Sequence, residues 1–369
     1  MTSAAQWEAA GLYDPAVDAD SGRLDLLAWL DEQGFTIDEM RHAFRTDALG
    51  AMAGDRRMVP GERHDRATAI ERSGLSVDEF DAYSTAFGFV PIQGAPDGEV
   101  GYTDAEIESM ATVGVLATMF SPDEAKSLVR VMGSSLARIG EAAVSLFLAD
   151  IESPHVLSGD SELALALSVY DAVGLLDGLG ERLDPILRRQ MLQAVERTRR
   201  TSISETERFL YRYAVGFVDL VGFTAMSSGM EPRQLSTFMG RFEGEAHDVA
   251  TRCGARIVKL IGDEVMFVAT DPVAACTAAV ELMSAFNSDH VGIAPRGGLA
   301  FGNVVLRGGD YYGSVVNLAS RLVDEAVPLE LLVTVELAEA ATSCTFEPAG
   351  RRMVKGFADP VSVRSIQVA

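Results

Sequence analysis

Lysine is scarce in this 369-residue chain: Lys126, Lys259 and Lys355 are the three examples among 31 lysines and arginines. Positive charge as a whole is short, because 54 acidic residues leave a formal net charge of −23 at pH 7. Nucleic acids and anionic membranes are polyanions that need a basic surface, so this balance argues against both as general partners. Cysteine is equally sparse. Cys253, Cys276 and Cys344 are odd in number and lack metal-ligand spacing, which argues against a disulfide framework and fits a reducing cytoplasm; they read as small core residues. No apolar run approaches the ~20 residues that span a bilayer, and Met1 to Gly11 lack a signal peptide's basic flank and apolar run. A soluble, cytoplasmic protein without a membrane span is expected. Also missing are a Gly-x4-Gly-Lys-Ser/Thr phosphate loop, Gly-x-Gly-x-x-Gly, His-Glu-x-x-His and Gly-x-Ser-x-Gly, so most common enzyme classes recede.

What remains is ample apolar material, 48% of residues, enough for two or three domains to bury cores. Residues 1–200 carry 34 acidic against 17 basic side chains, whereas 201–369 carry 20 against 14, so the acidity belongs mainly to the first half. From Leu24 to about Arg200 the pattern is helical. Thr36 with Glu39, Ser76 with Glu79, Thr103 with Glu106 and Ser121 with Glu124 have capping-box spacing, and Pro122 suits a first helical position. Gly34 to Met40 and Gly74 to Phe80 use one local device twice, as a duplicated module or as two independently capped helices. The run from Gly88 to Gly101, with Pro91, Gly94, Pro96 and Gly98, reads as a loop. Breaks are expected at Ser153-Pro154 and Ser158-Gly159. These signals predict a helical domain over 1–200, a linker over 201–212 and a second domain over 213–369.

In that second domain, Tyr213 to Leu220 reads as a strand and Pro232 to Thr251 as an amphipathic helix. Arg256 to Ile261 and Val265 to Ala269 form strands around a tight Gly262-Asp263 turn. A helix capped by Asp271 follows to about Phe286, then strands near Arg296 to Leu306, a helix over Ser314 to Asp324, and strands near Leu331 and Met353. Helices alternating with a hairpin-containing sheet indicate an α/β sandwich.

Three clusters could carry chemistry. Asp219 ends an apolar strand where it feeds a helix, and Gly222 with the amides of Phe223 and Thr224 could approach a phosphate. Asp263 lies in a turn beside the first, and two acids brought together can hold hard divalent cations. Taken singly, each aspartate also reads as a helix cap or turn residue. Lysine kept at 259 and 355, in a chain that otherwise favours arginine, is notable because a flexible ammonium does work a guanidinium fork does not. Finally, Asn317 and Arg321 share one helix face while Leu318 and Leu322 take the buried one.

Together, Phe217-x-Asp219-x-x-Gly222-Phe223-Thr224, Lys259-x-x-Gly262-Asp263 and Asp310-x-x-Gly313-x-x-x-Asn317-x-x-x-Arg321 resemble the class III adenylyl and guanylyl cyclase catalytic domain over about residues 210–369. The resemblance implies an α+β chain, with a ferredoxin-like, palm-like α/β sandwich behind an all-α regulatory domain. It implies that Asp219, Asp263 and the Leu220 carbonyl hold two magnesium or manganese ions. Lys259 and Asp310 would read adenine, Asn317 would position the ribose, Arg321 would meet charge developing at the α-phosphate, and Lys355 the terminal phosphates. Arg307 would add a phosphate contact, although the arm before Asp310 is shorter than in many members. ATP is the implied substrate, cyclic AMP and pyrophosphate the products. Family domains pair head to tail, so a homodimer with two shared sites is implied. The acidic half resembles the regulatory domain of soluble actinobacterial cyclases, some autoinhibited and pH-responsive. His42, His64, His155, His247 and His290 are the candidate pH sensors, and a helical pocket for a lipid or other small ligand is the other option. Competing readings are a catalytically silent nucleotide sensor and a diguanylate or guanylyl cyclase.

Overall fold

The computed structural model describes residues 2–18, 22–89, 101–201, 210–287 and 293–367. The chain divides into two compact units, Met1–Ile186 and Leu187–Ala369. The irregular run at 88–101, the 201–212 linker and His290 lie mostly or wholly outside the described residues.

Among its described residues the first unit's regular elements are helices, with one isolated bridge between His64 and Tyr102. It comprises α1 (Ala4–Ala9), α2 (Arg23–Glu32), α3 (Ile37–Arg45), α4 (Met52–Met58), α5 (Arg66–Ser73), α6 (Val77–Phe87), α7 (Asp104–Met119), α8 (Pro122–Phe147), α9 (Ser153–Ser158), α10 (Glu162–Gly174) and the start of α11 (Leu179–Thr201). Local chemistry sets the starts. Thr36, Ser76 and Thr103 each accept the N3 amide while the N3 glutamate returns to the cap, so three of the four expected boxes close. Ser121 accepts the Glu124 amide ahead of Pro122. Both copies of the glycine-led device thus fold as capped helix starts. Two apolar clusters form the core: one around Leu26, Leu27, Leu30 and Met40, the other around Phe80, Tyr83, Met110 and Val129.

One sequence expectation needs correction here. Ser153-Pro154 does not break the chain's helical course, because a π turn over Leu148–Glu152 leads into α9 and places the proline in its first turn, where no intrahelical N–H is needed. The stretches Pro122–Ser158 and Glu162–Thr201 are also long and apolar enough to cross a membrane by length and composition alone, with little of either window buried. Interspersed charges divide the apolar residues into helix faces, which is why no continuous run shows in the sequence.

The second unit is an eight-stranded sheet with helices on its faces. Its elements are β1 (Leu210–Val221), α12 (Phe223–Ser227), α13 (Pro232–Arg252), β2 (Arg256–Ile261), β3 (Glu264–Ala269), α14 (Pro272–Phe286), β4 (Ala294–Arg307), β5 (Asp310–Tyr312), α15 (Ser314–Glu325), β6 (Leu331–Thr334), α16 (Val335–Ala340), β7 (Phe346–Arg352) and β8 (Val361–Ile366). The strand order is β2-β3-β1-β4-β6-β8-β7, with β5 paired to β4. Its β4-β1-β3-β2 core is antiparallel and is the ferredoxin-like arrangement expected. Met353 lies beyond β7 rather than in a strand, while α16 and β8 carry patterns too short to stand out in sequence.

Alternation along β1 decides what each face does. Ala214 and Val218 point to the core beneath α13 and α14. Tyr213, Val215 and Phe217 point to the opposite face, where Ala319 and Val323 of α15 pack. That helix sits very close to the sheet: a Cβ added at Gly298 would lie 2.4 Å from the Ala319 carbonyl. By the same alternation, Asp219 belongs to the α15 face.

Candidate active site

The site is built where apolar strands end in polar residues. The pairing of β1 with β3 ends at Val218 opposite Val265, but β1 runs on to Val221. This register carries Asp219 and Leu220 past β3, beside the turn that holds Asp263, while β4 still pairs them with Arg296 and Pro295. Gly222 then takes φ 90°, a left-handed conformation that favours glycine, and starts α12. The Phe223 side chain is buried and stacks on Phe238 with ring centroids 5.5 Å apart, so only its backbone can face a ligand. Thr224 is exposed.

The carboxylates converge. Burial pushes the Asp263 carboxyl above its ordinary value, and the charge of Asp219 adds to the shift. Burial likewise pushes Glu264 up to about 7, with Asp219, Asp324 and Asp263 contributing. Arg296 partly offsets this negative field. It donates to Asp219 Oδ2 from Nε at 3.0 Å and to the Asp324 carbonyl at 3.4 Å, and a terminal nitrogen lies 2.9 Å from the same Asp219 oxygen. Both contacts to Asp219 fall on one oxygen, Oδ2. Among the described residues no set of three histidine, cysteine, aspartate or glutamate side chains is arranged to hold a metal. Two hard carboxylates, Asp219 and Asp263, have the oxygen chemistry that divalent ions such as magnesium or manganese take.

A cleft of about 560 Å³, within the range of small-molecule sites, is lined by Glu264 but by neither Asp219 nor Asp263. Its floor is Phe217, Lys259 and Met266 from the sheet; Asn317 and Arg321 of α15 form one wall, and Lys355, in the turn between β7 and β8, closes the far side. Lys259 Nζ donates to Asp310 Oδ2 at 2.6 Å, and the Tyr311 amide donates to Asp310 Oδ1 at 2.8 Å. Arg321 is held by Asp324 at 3.1 Å. The structure therefore brings Lys259, Asn317, Arg321 and Lys355 to one cleft and joins Asp310 to it through Lys259. Arg307 is exposed at the end of β4, opposite Asp310, and is not among the cleft-lining residues.

Sequence reasoning missed Arg296, Glu264 and Asp324. An arginine opening an apolar strand, Arg296-Gly-Gly-Leu-Ala-Phe, was the available signal for the first. The other two needed the fold, which puts them beside Asp219.

Comparison with known proteins matches both halves of the chain. A family model described as the adenylate cyclase regulatory domain matches residues 7–196, and one described as the adenylate and guanylate cyclase catalytic domain matches residues 210–364. An uncharacterized protein of Mycobacterium bovis is 32% identical over 96% of this chain and 91% of its own length. An adenylate cyclase of Streptomyces coelicolor is 31% identical over 80% of this chain and 74% of its own. A pH-sensitive adenylate cyclase of Mycobacterium tuberculosis is 28% identical over 96% and 88%. Among solved structures, the adenylyl cyclase CyaB of P. aeruginosa aligns at 24% identity with a TM-score of 0.40, over 43% of this chain and 95% of that one. Both halves are thus matched in order, and the chain belongs to the class III adenylate cyclases that join a regulatory domain to a cyclase catalytic domain.

Proposed function

We propose that the protein converts ATP to 3′,5′-cyclic AMP and pyrophosphate at two equivalent sites shared across a homodimer. The observation that carries the choice of ATP is the Lys259–Asp310 pair, 2.6 Å apart at the cleft. An ammonium beside a carboxylate offers a donor to adenine N1 and an acceptor to its 6-amino group. Guanine presents the opposite pattern and would meet both groups unfavourably.

Asp219, Asp263 and the Leu220 carbonyl would hold two divalent ions, magnesium or manganese, which supply Lewis acidity and neutralise phosphate charge. The chain's own side chains do the rest. Asn317 orients the ribose so that its 3′-oxygen lies in line with the α-phosphorus. The 3′-oxygen–phosphorus bond forms as the bond to the β-phosphate oxygen breaks, the hydroxyl proton is released, and pyrophosphate leaves without a protein nucleophile. Arg321, released from Asp324, stabilises the charge growing on the α-phosphate. Lys355 and the amides after Gly222 bind the remaining phosphates, with Arg307 as an outer contact.

The head-to-tail dimer sets the carboxylates of one subunit against Lys259, Asp310, Asn317 and Arg321 of the other. The apolar faces of α8 and α11, including Leu128, Leu136, Ile139, Ile186, Met191 and Leu192, are exposed in the single chain. We read them as subunit-packing surfaces of a cytoplasmic regulatory dimer rather than as membrane spans. That domain would shift the catalytic halves between assembled and separated states, with autoinhibition and pH response as its form of control. His64, 2.7 Å from Asp104, and His155, 2.6 Å from Asp160, are two sensor candidates whose acidic partners lie among the described residues. A ratio of full-length to catalytic-half activity that stays constant with pH would remove the sensing role. Cyclic product from ATP and GTP, measured with manganese and with magnesium, tests the activity itself.

A further inference from the structure

Lys259 and Asp310 are far apart in the sheet. The strand order puts β3, β1 and β4 between β2 and β5, so their contact requires the β4–β5 hairpin to arch back over the sheet's open face. A second bridge spans the same gap: Arg256, three residues before Lys259 on β2, donates to the Tyr311 hydroxyl at 3.1 Å and lies 5.5 Å from that ring's centroid. Tyr311 is buried and follows Asp310 directly. Its ring meets Tyr213 of β1 edge-on, with centroids 5.0 Å apart.

Tyr213 is 2% exposed, with the side chains of Tyr311 and Thr201 as polar neighbours, and burial pushes its phenol above the ordinary value. Thr201 is the last residue of α11 and is itself 5% exposed. Its hydroxyl also donates to the Arg197 carbonyl at 2.9 Å, which fixes it to the final helical turn. A continuous set of buried contacts therefore runs Thr201, Tyr213, Tyr311, Arg256, and ends on the two strands that present Lys259 and Asp310. Closely packed buried rings have few low-energy arrangements, and a shift at one end is felt at the other.

We propose that Tyr213 and Tyr311 are positioning residues for the purine-reading pair, and that Thr201 ties this pair to the end of α11, so that movement of the helix alters how strongly the site prefers ATP to GTP. The inference rests on the reading of Lys259 and Asp310 given above. Tyr311 sets the reach of the β5 carboxylate toward β2, Tyr213 supports Tyr311 from below, and Thr201 locks Tyr213. None of the three touches substrate.

The test uses the full-length chain, with ATP and GTP competing against a fluorescent ATP analogue for the site, alongside KM and kcat for ATP. Thr201→Val and Tyr213→Phe remove one hydroxyl each at nearly constant volume. Each is expected to reduce the ATP-over-GTP affinity ratio about 3- to 10-fold, the scale of one hydrogen bond, through KM, while kcat stays within about twofold. The double variant should lose no more than the worse single one, because both act on one path. Thr201→Ser keeps the hydroxyl and should restore the wild-type ratio, which loss of general stability would not do. Unchanged ratios in Thr201→Val and Tyr213→Phe, with Asp310→Ala abolishing the preference, overturn the relay alone. A preference that survives Asp310→Ala overturns the purine-reading assignment, and the relay with it.

Discussion

The two halves of this protein spend their sequence differently. The catalytic unit concentrates its information in a few positions: aspartates at strand ends, two of three lysines, and an asparagine and arginine four apart on one helix. The regulatory unit spreads its information over capping boxes and apolar helix faces, none of which is tied to one chemistry. A reaction fixes residue types at fixed places, whereas helix packing accepts many sequences with the same pattern. The first half should therefore tolerate substitutions that would silence the second.

Breaking the carboxylates proposed to hold metal should have the largest effect. Asp219→Ala or Asp263→Ala is expected to lower turnover by about a thousandfold or more, while a comparable change at Asp38, exposed on α3, leaves it nearly intact. Subunit mixing sharpens the comparison. Asp219→Ala and Asn317→Ala, each inactive alone, should regain about a quarter of the wild-type rate when mixed, because half the dimers then carry one intact site. Failure to regain activity would place a complete site in each subunit.

A smaller effect is expected at Arg296. Its bonds to a single oxygen of Asp219 orient that carboxylate, so Arg296→Ala should raise the metal concentration needed for half-maximal activity about tenfold, as read by titration with manganese. Smallest is a stability effect at Glu264. The folded chain raises this carboxyl to about 7, so it binds its proton more tightly folded than unfolded. Its contribution to stability is then fully present below the ordinary glutamate range and is lost as pH rises through about 7. Glu264→Gln should raise the metal-free melting temperature by a few degrees at pH 8 and change it little at pH 4.

Much of the catalytic unit was legible beforehand because its elements are bounded by strong local signals. The Asp271 cap, the Gly262-Asp263 turn and the Pro232 helix start each stand within a residue or two of the expected position. Asn317 and Arg321 could be assigned to one face from helical periodicity alone. What the sequence concealed depends on distance along the chain. Arg296 meets Asp219 across 77 residues, and Tyr213 meets Tyr311 across nearly a hundred. Neither pairing leaves a periodic trace. The regulatory half was legible as helices but not as packing: the π turn before Ser153 keeps a helix going through a proline, and the apolar faces of α8 and α11 become visible only when the helices are built.

The most direct test measures cyclic nucleotide formed from ATP and from GTP by the full chain and by residues 201–369, first with manganese and then with magnesium. The account predicts cyclic AMP from ATP, little or no cyclic GMP, and a rate that differs between the two proteins. No cyclic product from either, or a preference for GTP, would contradict it.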